Sequence, residues 1–266
     1  MPPLPLHRIP AQTGANCGLF AILAGARRLG YRESAESALV AELDRLEKAD
    51  PRTFIGEVLS IGLLLDLIRG VCLDGAPRLA ARAVPFSTPA VLSAIIRDAS
   101  QNGAALLIPF ARPQSYDGYY RLLGCQARGE VTDAQVVAAR QAKEAETRFL
   151  AADAHWALIN RVDGTTGTVV LADSFEDVWG TGHGYEADFS VEKLTAANLA
   201  LDGCFDWGNF LDERGRAWGV YDIRGLAYAP STPRLKNPDR LEEILRNDRQ
   251  ETLDLAGRLV LMERMR

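Results

Sequence analysis

The stretch IPAQTGANCGLFAILAGARRLG, residues 9–30, passes from a polar run of turn-forming residues directly into an apolar segment. The apolar residues of that segment recur at helical spacing, and they are Leu19, Phe20, Ile22, Leu23 and Ala26. The spacing predicts a helix over 17–29, with Gly30 as its C-terminal stop. The helix therefore begins at Cys17, and Gln12 precedes that cysteine in the incoming turn.

The composition is typical of a globular chain with a sizeable core. The 266 residues are 47% hydrophobic and 24% charged, which suits one large domain or two small ones. The net charge is −5 and the isoelectric point is about 5.4. Because no dominant basic surface follows from these values, neither nucleic acid nor an anionic membrane is an expected partner.

The four cysteines are far apart in the sequence, at positions 17, 72, 125 and 204. They form no CxxC pair and no Cys/His cluster at zinc spacing, so we expect free thiols, no metal and no organic cofactor. The start MPPLPLHRIP lacks the pattern of a signal peptide, and the apolar run IGLLLDLI is too short to span a membrane. These features predict a cytoplasmic protein, or one delivered into a host cytosol.

Helical patterns come first and strand patterns second, which predicts an α+β fold with a helical layer packed on an antiparallel sheet. We expect a domain over 1–229, with a helical insertion at about 115–153, followed by a linker and a C-terminal helix over 230–266. The other predicted helices are 35–48, 58–69, 87–102, 132–150 and 189–201, and the predicted strands are 104–110, 155–162, 168–174 and one or two within 217–229.

The position of Cys17 favours a nucleophile. Unpaired N–H groups and the helix dipole stabilise a thiolate at a helix N-terminus. Gly18 would let a substrate backbone approach, and Asn16 and Trp156 are further candidates for substrate contact. A backbone N–H at Cys17 and the side-chain amide of Gln12 could together hold an oxyanion.

A thiol nucleophile needs a base, and the sequence offers His7, His155 and His183. His155 starts a predicted strand, and DGTTG at 163–167 predicts a hairpin turn after it. Asp173 ends the returning strand, so both side chains are expected at the same end of the hairpin. An imidazole needs such a partner to fix its tautomer. The rivals for this third position are Asp153, Asp163 and Asp177.

Four segments resemble, in the same order, the actin maturation proteases, a papain-like group near the C39-like peptidases. QTGANCGLFAIL is similar to the box that carries the family's cysteine, and AHWALINR at 154–161 is similar to the strand that carries its histidine. The weaker similarities are GEVLS at 56–60 and ALLIPF at 105–110. The resemblance implies a papain-like fold, with Cys17 as nucleophile, His155 as base and Gln12 as oxyanion donor. The third position then falls to Asp173 by papain-like spacing.

These observations predict a thiol hydrolase that cuts amide bonds of a protein or peptide through a Cys-His-Asp triad. A cysteine peptidase, including one for N-terminal processing, is the first reading. A glutamine deamidase or transglutaminase-type bacterial effector could use the same residues, as could an acyltransferase. The alternative outside enzymology is a papain-like module that binds a peptide without cutting it.

Other conspicuous residues have simpler interpretations. Cys72, Cys125 and Cys204 are interpreted as core thiols. The loop VWGTGHGY at 178–185 is either a substrate-binding loop or an ordinary surface loop. The apolar stripe within 241–261 is interpreted as one face of the C-terminal helix.

Overall fold

The computed structural model describes most of the core of the chain. The account that follows refers to residues 3–5, 8–9, 11–12, 17–31, 39, 41, 43, 45–46, 50, 52–53, 57–71, 79–163, 166–175, 183–207 and 238–265.

A six-stranded antiparallel sheet forms the centre of the fold, with strand order β1-β8-β2-β3-β4-β5. A second, two-stranded sheet pairs β6 with β7. The strands are β1 Leu79–Pro85, β2 Ala105–Ala111, β3 Ala154–Val162, β4 Thr168–Asp173, β5 Tyr185–Ser190, β6 Cys204–Asp206, β7 Gln250–Thr252 and β8 Arg258–Arg264.

Side-chain caps start several of the helices. Ser60, Thr88, Thr132 and Ser190 each accept a hydrogen bond from the backbone N–H three residues later, which satisfies one free donor of the first turn. The helices are α1 Cys17–Arg28, α2 Ile61–Gly70, α3 Pro89–Asn102, α4 Gln114–Ala127, α5 Asp133–Ala145, α6 Val191–Leu199 and α7 Pro238–Arg246.

Both faces of the sheet are covered by helices. Along β2, Ala105 and Leu107 face the core under α1 and α2, while Leu106 and Ile108 face the core under α3, α4 and α6. Every residue of β2 is buried, which explains why its sequence reads as an unbroken apolar run rather than an alternating one. The α+β class and the antiparallel sheet are confirmed, with helices on two sides of the sheet.

Most predicted elements form within a few residues of their predicted bounds. The helices α1, α2, α3 and α6 and the strands β2, β3 and β4 correspond to sequence predictions. The insertion contains two helices, α4 and α5, instead of the single helix predicted over 132–150. In the predicted helix 35–48, the described positions 39, 41, 43, 45 and 46 are helical. The strands predicted within 217–229 lie outside the described residues.

The predicted C-terminal helix is wrong beyond Arg246. Helix α7 ends there, and the chain continues as β7 and then β8, which lies between β1 and β2 in the sheet. Asp248 and Arg249, just after the helix, have φ values of 51° and 63°, a left-handed conformation that a continuing helix does not allow. The short apolar run LVLM, residues 259–262, fits a helix or a strand by its pattern alone. It forms a strand because it can pair with β1 on one side and β2 on the other. The apolar stripe of 241–261 is therefore divided among α7, β7, β8 and their connections.

None of the described helices is long and apolar enough to cross a lipid bilayer.

Deleting 258–266 tests the position of β8. Four consecutive residues of β8, 259–262, are buried, and the strand pairs with both neighbours. We expect the shortened chain to lose cooperative thermal unfolding, measured by circular dichroism, because the sheet would be split. Deleting only 265–266 should leave the unfolding midpoint unchanged. An unchanged midpoint after the longer deletion would show that the segment is an appendage.

Candidate active site

Cys17 is the first residue of α1, and its side chain is half-buried. Nearly all of the twelve-residue helix behind it is buried. The helix packs against β2 and β3, where a Cβ on Gly25 would come within 3.2 Å of Leu107 Cδ2. The sulfur therefore stands at the positive end of a helix dipole whose axis is fixed by the core.

His155 and Asp173 form a buried pair across two neighbouring strands. The His155 Nε2 atom lies 2.8 Å from Asp173 Oδ1, and the two residues are only 4% and 1% exposed. Leu158 pairs with Ala172 and Ile159 with Leu171, so this register places both side chains on one face at the same end of the hairpin. The backbone N–H of Phe175 donates a second hydrogen bond to Asp173 Oδ1, 2.8 Å long.

His155 also interacts with Cys17. Burial alone would lower the pKa of His155, but the charges of Asp173 and Cys17, and hydrogen bonds to both, raise it to about 9. Burial also acts to raise the pKa of Asp173, and the His155 charge and hydrogen bond outweigh it, so that this pKa is lowered. With Nε2 held by Asp173, Nδ1 is the ring nitrogen that remains for the thiol.

The three residues Cys17, His155 and Asp173 are thus brought together from α1, β3 and β4, as the sequence predicted. Their catalytic role stays a prediction. Among the rival aspartates, Asp153 lies next to Arg112, and Asp163 is in the turn at the far end of the hairpin. Asp177 and His7 lie outside the described residues.

Gln12 is tied to the residue that follows Asp173. Its backbone N–H donates to the Ser174 carbonyl, and its side-chain Oε1 accepts a 3.0 Å hydrogen bond from Ser174 Oγ. This bond orients the carboxamide, whose other end, Nε2, carries the hydrogens that an oxyanion would need. The incoming segment and β4 are therefore joined next to the triad. Asn16, the neighbour of Cys17, lies outside the described residues.

Gly18 and Trp156 both pack against Val58, and their contact with a substrate stays a prediction. Trp156 is 1% exposed, and its Nε1 donates a 2.8 Å hydrogen bond to the Val58 carbonyl. A Cβ on Gly18 would lie 2.6 Å from Val58 Cγ2. Val58 therefore lies against the start of α1 and also accepts the indole hydrogen bond.

Gly184 fits against the backbone of Asp173. A Cβ at this position would overlap the Asp173 carbonyl oxygen and come within 2.9 Å of Ile9 Cγ2. The N–H of Gly184 donates a 2.9 Å hydrogen bond to the Ile9 carbonyl. The glycine thus allows β4, the start of β5 and the N-terminal segment to meet beside the triad. Sequence reasoning placed Gly184 only in a loop of uncertain role.

A second group of polar residues near the triad was missed from the sequence. Arg112 follows β2 and is 6% exposed, and its Nη2 lies 2.6 Å from Asp117 Oδ2. Its guanidinium covers the ring of Phe175, and the Phe175 and His155 rings are nearly perpendicular, 6.0 Å apart between centroids. The available signal was an arginine directly after an entirely apolar strand.

The other two described cysteines, Cys125 and Cys204, differ from their predicted burial. Cys204 is exposed and Cys125 is half-buried, so the core-thiol interpretation is wrong for Cys204. The reason is that Cys204 lies on the outward face of the short strand β6. Cys72 lies outside the described residues.

In the predicted loop 178–185, Tyr185 is a buried residue of β5 that stacks on Tyr120, 4.6 Å away between centroids.

Within the described part of the chain, no group of three or more His, Cys, Asp and Glu side chains is arranged to hold a metal ion.

The chain matches no protein-family model, no curated protein and no solved structure. The chemistry of the site must therefore be argued from its own geometry. A thiol at a helix start, an imidazole and a buried carboxylate are the parts that nucleophilic acyl transfer needs.

Replacing Gly184 with alanine tests the close approach beside Asp173. We expect a loss of about 1–3 kcal/mol of unfolding free energy, because the added methyl group has no room against a backbone oxygen. Urea unfolding would measure it. Gly118→Ala in α4 is the matched control, since a Cβ there meets nothing within 4 Å. That control should be neutral or stabilising by up to ~1 kcal/mol. Equal stability of both variants would contradict the packing described.

Proposed function

We propose that this chain is a cysteine hydrolase that cleaves amide bonds of a protein or peptide, acting first of all as a peptidase. The observation that carries the proposal is that His155 interacts with Asp173 on one side and with Cys17 on the other. A buried carboxylate that orients an imidazole, which in turn faces a nucleophile at a helix start, is the arrangement of an activated thiol.

In this proposal, the proton of the Cys17 thiol has already moved to His155 when the reaction begins. The raised pKa of the imidazole favours this state, because Asp173 and Cys17 both stabilise the charged ring. The sulfur of Cys17 attacks the amide carbonyl and forms a tetrahedral oxyanion. His155 then protonates the leaving amine, which departs as the acyl-enzyme forms. Water, deprotonated by His155, attacks the thioester and releases the acid.

The oxyanion would be held by the backbone N–H of Cys17 and by the Nε2 group of Gln12. The Gln12 side chain is oriented by its hydrogen bond from Ser174. A donor that is already held in place stabilises an oxyanion more than one that must be oriented during the reaction. Removing one such donor typically lowers kcat by a factor of about 10²–10³.

The finer fold assignment, papain-like, belongs to the same proposal. What supports it is the order of the parts along the chain: a cysteine at the start of a core helix, then a histidine at the start of a strand, then an acid at the end of the next strand. The four segments that resemble the actin maturation proteases include the first two of these parts. N-terminal processing as the specific task derives from that resemblance alone.

A cytosolic location is consistent with this chemistry. Cys17, Cys125 and Cys204 are free cysteines, and the mechanism requires Cys17 as a thiol. The substrate we propose is a polypeptide, because a thiol nucleophile attacks amide carbonyls. An acidic chain of net charge −5 offers little attraction to nucleic acid.

Alkylation with iodoacetamide at pH 6 tests the activated thiol. We expect Cys17 to be labelled at least ~10-fold faster than Cys204, because a thiolate, not a thiol, is the nucleophile. Cys204 is exposed and serves as the internal control. The variant His155→Gln should reduce the Cys17 rate to that of an ordinary thiol. Equal labelling of both cysteines, unaffected by His155→Gln, would favour a binding module without catalysis.

Mass spectrometry of a proteome identifies the reaction. The proteome is incubated with the protein and, separately, with Cys17→Ala, whose fold should be intact. New chain termini that depend on Cys17 are expected for a peptidase. Conversion of glutamine to glutamate would identify a deamidase, and new cross-links to amines a transglutaminase. No difference between the two samples would contradict hydrolysis of proteins.

A further inference from the structure

Arg112 joins three segments that surround the triad. Its backbone N–H donates a 2.9 Å hydrogen bond to the carbonyl of Asp153, in the turn just before β3. Its guanidinium is paired with Asp117 of α4 and lies over the ring of Phe175. Phe175 follows β4 and donates its N–H to the Asp173 carboxylate. The arginine therefore connects the ends of β2 and β4, the start of β3 and helix α4.

The charge of Arg112 is only partly compensated by its direct partner. Nη1 of Arg112 and Oδ1 of Asp117 are buried atoms that have no hydrogen-bond partner among the described residues. Burial of a cation is costly unless opposite charges are near. The charge of Arg112 reaches two further carboxylates, Asp153 and Asp173. It contributes to the lowered pKa of Asp173, after the larger effects of burial and of His155. Arg112 thus acts on the same carboxylate that holds His155.

The negative charge of Asp117 has the opposite effect to the positive charge of Arg112. Its own pKa is raised to about 6, first by burial, with Arg112 and His155 opposing and Asp173 reinforcing the rise. At a pH where His155 releases its proton, Asp117 is therefore ionised, and its negative charge favours the protonated ring. The charged and titratable groups that face this cluster are Cys17 from α1, Arg112 after β2, Asp117 and Arg121 from α4, Asp153 before β3, His155 from β3 and Asp173 from β4.

We propose that Arg112, opposed by Asp117, is a positioning residue that sets how strongly Asp173 holds the protonated ring of His155. This role rests on the proposed function of His155 as the base. Arg112 competes with the imidazolium for the Asp173 carboxylate and repels the ring's positive charge, while Asp117 reduces both effects. The helical insertion, which carries Asp117, thereby contributes a charge to a site formed by the sheet and α1.

The test is the pH midpoint at which the His155 ring loses its proton, followed by NMR. The chain has only three histidines, so the variant His155→Gln identifies the signal. Arg112→Gln should raise the midpoint and Asp117→Asn should lower it, each by roughly half a pH unit or more. The charge-conserving variants Arg112→Lys and Asp117→Glu should stay close to the wild-type midpoint.

Opposite shifts are the decisive feature, because general structural damage would not move the two midpoints in opposite directions. Midpoints that stay at the wild-type value in both neutral variants would overturn the proposal. If Arg112→Gln does not fold, Asp117→Asn and Asp117→Glu decide the question alone. This result can be distinguished from failure of the proposed function. If Cys17 fails the alkylation test but the His155 midpoints shift, only the proposed function is contradicted. If Cys17 passes and the midpoints do not shift, only the role of Arg112 is contradicted.

Discussion

The hydrogen bond between His155 Nε2 and Asp173 Oδ1 is the contact on which the site depends. Both side chains are almost fully buried, so each charge depends first on the other beside it. Removing one partner of such a pair typically costs about 3–5 kcal/mol, since it leaves a buried charge without compensation. The fold supplies further donors to hold the carboxylate, notably the Phe175 N–H. The consequence is an imidazole with fixed orientation, whose remaining nitrogen is left for the interaction with Cys17.

The end of the sheet that carries His155 and Asp173 is built from segments that are distant in sequence. The N-terminal segment passes beside β4, where Gln12 bonds Ser174 and Ile9 accepts from Gly184, before the chain enters α1 at Cys17. Helix α1 then runs across β2 and β3, whose apolar residues fix it. Sulfur, imidazole and carboxylate are thus positioned by packing and backbone pairing. The same packing places Val58 against Gly18 and Trp156.

The sequence was sufficient where a local pattern decides the structure. The hairpin from His155 to Asp173 follows from two strand patterns and a turn, and it correctly places both residues at one end. The helix at Cys17 follows from its apolar spacing and Gly30. The sequence was insufficient where a distant neighbour decides: LVLM becomes β8 because β1 and β2 leave a place between them. Arg112 and Asp117 were missed because their pairing spans a strand end and a helix with no recurring motif. Strand β5 did carry a readable signal, with Tyr185, Ala187 and Phe189 buried in alternation, but a glycine-containing loop obscured it.

The protonation state of His155 in the unmodified protein tests the central claim most directly. Nitrogen NMR near pH 8 distinguishes a doubly protonated ring from a neutral one. Since the pKa of this ring is raised to about 9, the account predicts that both nitrogens still carry hydrogens at that pH. A neutral ring that had already titrated near the ordinary histidine value of about 6.5 would contradict it, because Asp173 and Cys17 would then not be holding the charge.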